Sequence, residues 1–162
     1  MATELTYERP LTPADLETTP LAPPGVEIRA LSRPDADALH DVYVDAFSTR
    51  TATPLDAATW TRKWPLHALC VPDLSYVARR GDRAIAYLLA YVDPDVDPHE
   101  GWIGQMGVRV ACRNSGTATA LLRAAHRGFA AAKLSRAALG VAPDNEHAIR
   151  LYESLGYRRR PD

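Results

Sequence analysis

The stretch Val108-Arg109-Val110-Ala111-Cys112-Arg113-Asn114-Ser115-Gly116-Thr117-Ala118-Thr119-Ala120-Leu121-Leu122 constrains this chain more than any other. An apolar, strand-like run from Trp102 to Val110 feeds straight into a turn of small and polar residues. The turn then becomes a helix with an apolar stripe. The first turn of a helix leaves its N–H groups without intrahelical partners, and the helix dipole adds partial positive charge at the same spot. A junction of this kind is an anion site suited to a phosphate. Gly116 and Ala118 are small where a backbone would approach a ligand closely. Thr117 and Thr119 offer hydroxyls and Arg113 a guanidinium, a set that suits a diphosphate. The same residues would also make an ordinary strand-to-helix turn, and both readings stay open on this stretch alone. It is neither a GxGxxG dinucleotide fingerprint nor a P-loop, since it lacks the Gly-Lys-Ser/Thr ending.

The rest of the chain frames that junction. Residues 1–25 are punctuated by Pro10, Pro13, Pro20, Pro23 and Pro24 and read as an extended arm. Within it Leu5 to Arg9 alternates well enough to be a short strand if it finds an edge. Val26 to Leu31 alternates as a strand, and Ala38, Leu39, Val42, Ala46 and Phe47 follow helical spacing, predicting a helix over 33–48. A loop over 49–55 leads to a second helix from Asp56 to Trp64. Leu74–Arg79 and Arg83–Val92 read as strands joined by the hairpin signal Arg80-Gly81-Asp82. Asp93 to Glu100 reads as an acidic loop before the strand over 101–110. A helix over 116–132, a strand over 135–141 and a helix over 145–155 follow, the last ended by Gly156. The order β-α-α-β-β-β-α-β-α-β predicts an α/β fold, one domain over 26–162 with a mixed sheet and helices on both faces.

Composition narrows the function classes. A chain of 162 residues that is 46% hydrophobic and 24% charged can bury a sizeable core. A net charge of −1 argues against nucleic acid as a partner. No apolar run reaches membrane-spanning length and the first residues lack a signal-peptide pattern, so a cytoplasmic protein without a membrane partner is expected. Cys70 and Cys112 form no CxxC, and the five histidines have no ligand spacing, so no metal is expected. The acidic loop reads most simply as solvated. Its functional reading is attraction of a cationic amine.

A second motif lies at Asn145-Glu146-His147-Ala148-Ile149-Arg150-Leu151-Tyr152-Glu153-Ser154-Leu155-Gly156-Tyr157. Asn145 can cap a helix, and Leu151 and Leu155 sit one turn apart as core residues. Tyr152 projects about 100° away from Leu151 round the helix, either as a boundary aromatic or as a hydroxyl presented to a site. Together the two segments resemble the GNAT acyltransferase superfamily. Arg113, Gly116 and Ala118 match its acyl-CoA motif, Q/R-x-x-G-x-G/A. Asn145, Ala148, Leu151, Tyr152, Gly156 and Tyr157 match its next motif, N-x-x-A-x-x-L-Y-x-x-x-G-F. Either alone is weak, but both in this order, one helix and one strand apart, are specific. The likeness extends over residues 26–160. Leu139-Gly140-Val141 with Asn145 also resembles the actinobacterial, mycothiol-synthase-like branch.

The resemblance implies a GNAT fold in which strands 102–110 and 135–141 splay apart and the pantetheine arm of acetyl-CoA pairs with the exposed edge. It implies that the backbone of Val108 and Val110 and the side chain of Asn145 hold pantetheine. Arg113, Asn114, Ser115, Gly116, Thr117 and Ala118 would hold the diphosphate. The Met106 N–H would polarise the thioester carbonyl, and Tyr152 would protonate the departing thiolate. The expected activity is N-acetyltransfer to a primary amine. Asn114 and Ser115 replace a glycine and a basic residue common in the family, and Trp102 stands where some members carry a glutamate base. Glu100, on the face of Met106 if the strand is unbulged, and His99 are substitute bases, though both also read as solvated loop residues. An amine of lowered pKa, or a base acting through water, serves equally. A degenerate CoA-binding sensor competes with the enzyme. A Rossmann-like module is disfavoured by the missing fingerprint and the antiparallel hairpin. Family members usually carry a further antiparallel strand after the last motif. Leu5–Arg9 is expected to take its place, from the same chain or, in a homodimer, from another.

Overall fold

The computed structural model describes residues 3–162. Gly81, at a φ of 59°, turns the hairpin between β3 (Tyr76–Arg80) and β4 (Arg83–Asp93). The strand β4 is apolar from Ala84 to Val92 and buried from Ala84 to Tyr91, so it needs cover on both faces. Tyr87, Leu89 and Tyr91 pack under α2 (Asp35–Ala46) and α3 (Ala57–Lys63). Ala86, Leu88 and Ala90 pack under α4 (Thr117–Ala131). Helix α2 turns Ala36, Leu39, Tyr43 and Ala46 inward, at a spacing that keeps them on one stripe. Trp60 of α3 is fully buried, stacked on Tyr43 at 5.4 Å and edge-on to Tyr87 at 5.7 Å. Each large apolar side chain so buried contributes about 1.5–3 kcal/mol relative to exposure.

With β1 at Leu5–Pro10, β2 at Val26–Ala30, β5 at Asp97–Val108, β6 at Arg136–Val141 and β7 at Arg158–Arg159, the seven strands of the described sheet run in the order β2-β3-β4-β5-β6-β1-β7. The strand β5 (Asp97–Val108) is antiparallel to β4 and parallel to β6 (Arg136–Val141). The parallel pairing spans just four residue pairs, from Glu100 opposite Arg136 to Ile103 opposite Leu139. Past Ile103 the two strands part. The helix α5 (Glu146–Ser154) follows β6 and packs Ala148, Ile149, Leu151, Tyr152 and Leu155 against the α4 side of the core.

Two expectations need correction. The N-terminal arm holds the short strand expected within it, but its described residues are not extended throughout, since a helix follows that strand. Leu5–Pro10 forms β1, antiparallel to β6 from Leu5 opposite Val141 to Pro10 opposite Arg136, with β7 (Arg158–Arg159) on its other edge. Pro13–Glu17 is a short helix, α1, started by a capping box between Thr12 and Asp15. Nor is 93–100 a solvated acidic loop. Only 94–96 turns, and Asp97 opens β5. Asp97 and Glu100 both pair with Arg136, and Glu100 and Glu8 with Arg160, so these charges tie β1, β5 and β6 together. Among the described residues no helix is long and apolar enough to cross a membrane.

Candidate active site

A bulge in β5 decides which residues meet. Leu89 faces Gln105 while the next residue, Ala90, faces Ile103, so Gly104 is extra. A Cβ there would lie 2.4 Å from the Tyr91 ring, which restricts the position to glycine. The extra residue shifts the alternation by one. Trp102 packs on the α2–α3 side, whereas Met106 and Val108 pack on the α4 side. Arg109 donates its N–H to the Ile85 carbonyl at 2.9 Å. Antiparallel alternation therefore turns the peptide groups of Met106 and Val108 away from β4, toward the gap left by β6.

The bulge also corrects the place of Glu100. It does not share a face with Met106, and its carboxylate is held by Arg136 at 2.8 Å and by Arg160. Val110 is corrected as well, since its N–H already donates to the Asp45 carboxylate at 2.8 Å. His99 is exposed and remote from the gap.

The turn after β5 is built as an open cradle. Asn114 has a φ of 58° and Gly116 a φ of 89°. The left-handed region favours glycine, and asparagine is among the residues that tolerate it best, which accounts for Asn114. A Cβ on Gly116 would meet nothing within 4 Å, so the space above it is open. Helix α4 begins directly after Gly116 with no side-chain cap, and its first internal bond runs from Ala120 N–H to Gly116 carbonyl. The N–H groups of Thr117, Ala118 and Thr119 consequently lack helical acceptors. The polar side chains of the turn are engaged elsewhere. Arg113 donates to the Ala46 carbonyl at the end of α2, and Ser115 donates to the Cys112 carbonyl at 2.6 Å.

Across the gap, α5 starts at Asn145, whose side-chain oxygen accepts from Ala148 N–H at 3.4 Å. Two turns on, Tyr152 is half-buried, 5.8 Å from the Tyr157 ring, and its hydroxyl has no partner among the described residues. Burial pushes its pKa up to about 12. Behind it, Tyr157 and His126 are buried and joined at 2.6 Å. Arg9 of β1 donates to His126 Nδ1 at 2.8 Å and to Asp15 at 2.9 Å, so the His126 Nε2 carries the proton given to Tyr157.

These elements enclose a cleft of about 720 Å3. Met106, Val108, Arg113, Asn114, Gly116, Thr117, Ala118, Asn145 and Tyr152 all line it, whereas Glu100, Val110 and Ser115 do not. Sequence reasoning missed Phe47, Thr49 and Arg50 on one rim and His147 and Arg150 on the other. Arg50 reaches across to Asp144 at 2.9 Å. Nothing in the loop 49–55 marks that residue, because its partner lies 94 positions away. Among the described residues no cluster of three or more metal-ligating side chains occurs.

The geometry has counterparts among known proteins. The Acetyltransferase (GNAT) family matches residues 36–157. An uncharacterized N-acetyltransferase of Methanocaldococcus jannaschii is 31% identical over 134 residues, which cover 82% of this chain and 78% of that protein. A GCN5-related N-acetyltransferase from Sphaerobacter thermophilus superposes with a TM-score of 0.75 at 22% identity, covering 99% of this chain. The chain spans 50% of that structure's length. The PaiA N-acetyltransferase of Thermoplasma acidophilum, solved with coenzyme A, superposes with a TM-score of 0.65 at 14% identity, covering 82% of this chain and 88% of that one. The chain belongs to the GNAT acetyltransferase family, and its mixed sheet with flanking helices is the GNAT fold.

Proposed function

We propose that the protein transfers an acetyl group from acetyl-CoA to a primary amine by direct attack in a ternary complex. The observation that carries this is the gap between β5 and β6. It opens past Ile103, receives the peptide groups of Met106 and Val108, and ends at the uncapped start of α4. The N–H groups of Gly116 to Thr119 and the α4 dipole hold the diphosphate. With Arg113 and Ser115 bonded within the protein, main-chain donors carry most of that contact. Val108 and Asn145 hold pantetheine, and the Met106 N–H polarises the thioester carbonyl. The amine attacks as its free base, forming the C–N bond as the C–S bond breaks. The thiolate takes its proton from Tyr152, and the nitrogen releases its own to water. With its pKa pushed up to about 12 by burial, the Tyr152 hydroxyl holds its proton at neutral pH and is present in the form of a donor.

Thiol release with acetyl-CoA and a panel of amines tests the reading, with Tyr152→Phe as control. General acid catalysis contributes about 10²–10⁴-fold, so kcat should fall by that order while the CoA-induced rise in Tm is kept. Turnover by Tyr152→Phe equal to that of the native chain would remove the acid role. CoA binding without thiol release from any amine would favour the sensor reading.

A further inference from the structure

A second cavity, about 670 Å3, lies on the α2–α3 face of the sheet and meets β5 at Trp102 and Gly104. It approaches the bulge from the side opposite Met106, which lines the first cleft. Its walls are aromatic. Trp64, His67, Tyr91 and Trp102 line it, so two of the chain's three tryptophans face one cavity. Tyr91 stands edge-on to Trp64 at 6.4 Å and to His67 at 5.9 Å, and its hydroxyl donates to the Trp64 carbonyl at 2.8 Å. The Tyr91 ring is thus fixed before any ligand arrives. His67 Nδ1 accepts the Leu69 N–H at 3.1 Å, so the neutral ring carries its proton on Nε2 and offers a donor.

The carboxylates of this cavity are engaged within the protein. Asp97 and Glu100 pair with Arg136 and Arg160, and Asp93 Oδ1 accepts from the N–H groups of Asp95 and Val96. Arg160 and Lys63 also line the wall, the latter with its ammonium 5.4 Å over the Trp64 ring. A ligand with several ammonium groups would meet carboxylates whose oxygens are already bonded within the protein. Flat apolar surface is what the cavity offers in excess.

We propose that the acceptor is an arylalkylamine. Its aromatic body lies against Trp102 and Trp64, and its amino group is directed at β5 beside Gly104. The inference rests on the acyltransfer reading and gives its substrate class. It also gives Trp102 a role of its own, as a specificity-determining wall.

The full-length chain is assayed for thiol release with acetyl-CoA and four amines: 2-phenylethylamine, tryptamine, butylamine and putrescine. In parallel, tryptophan fluorescence follows titration of 2-phenylethylamine with CoA present, which reads the cavity whether or not turnover occurs. The two arylalkylamines are expected to exceed the other two in kcat/KM by about tenfold or more, and 2-phenylethylamine to give a saturable fluorescence change. Trp102→Ala should raise KM for 2-phenylethylamine about tenfold, the scale of a lost aromatic pair together with its buried area, with little change in kcat. Trp102→Phe should recover most of it, and butylamine should not register either change. Butylamine or putrescine used as well as 2-phenylethylamine overturns the inference. So does an unchanged KM in Trp102→Ala, or the lack of a saturable fluorescence change. Failure of CoA to raise Tm would instead strike the acyltransfer reading, and is seen separately.

Discussion

Asn114, Gly104 and His126 each depart from what their positions suggest. Asn114 looks like a loss of the family's glycine, yet at a φ of 58° it holds the left-handed backbone that glycine favours. Gly104 lies inside a strand, where a glycine marks either a bulge or a close approach. It is both, and the bulge is what separates Glu100 from Met106. The ion pairs that occupy Glu100 could not be read from sequence, because Arg136 and Arg160 lie 36 and 60 positions away. His126 sits on the apolar stripe of α4 and is buried at 2% exposure, with its pKa lowered from 6.5 to about 3 by burial first and by Arg9 second. The unfolded chain takes up a proton here below pH 6.5 and the folded chain does not, so stability falls as pH falls from about 6.5 toward 3. The slope in the middle of that window is about 1.4 kcal/mol per pH unit. Chemical denaturation at pH 7, 6, 5 and 4 should reveal it, and His126→Gln should flatten the curve. An equally steep curve in the variant would mean that other groups carry the acid sensitivity.

At the scale of elements, the two motifs were legible because each is local. A strand, its turn and the helix after it are adjacent in sequence, and so are Asn145 and Tyr152 on one short helix. The position of β1 was legible in part. Leu5–Arg9 carries strand alternation, but only the structure puts it between β6 and β7. There it supports β6 along its whole length, including the part that has left β5. It also brings Arg9 to His126 and Asp15. Breaking a buried pair by removing one partner costs about 3–5 kcal/mol. Arg9→Ala should therefore unfold at markedly lower urea concentration, and deletion of residues 1–10 at lower concentration still. If the deletion unfolds like the full chain and keeps its oligomeric state, β1 is dispensable to the sheet. The short helix α1 was missed because five residues with a proline start make no periodic signal.

The whole molecule places two cavities on one strand. The CoA cleft uses the α4 side of β5 past the bulge, and the aromatic cavity uses the α2–α3 side before it. Binding of CoA to the folded chain alone raises stability by about 2.7 kcal/mol at a hundred times Kd. For a chain of 162 residues that is a rise in Tm of roughly 5–11 °C. A thermal scan with CoA and acetyl-CoA should register it, and an unchanged Tm at millimolar CoA would argue against the cleft as a CoA site. The insertion of β1 has one further effect, on the order of assembly. Arg160 bonds to Glu8, 152 positions earlier, and β1 is flanked on both sides by strands from the last third of the chain. During synthesis β1 emerges before both of its partners and must wait, unpaired, until β6 and β7 have been made. Pairings of such sequence separation are slow to form. The hairpin and α2–α3 side can fold early, while the β6 wall of the CoA cleft is finished at the end, so the ability to bind acetyl-CoA should arrive last.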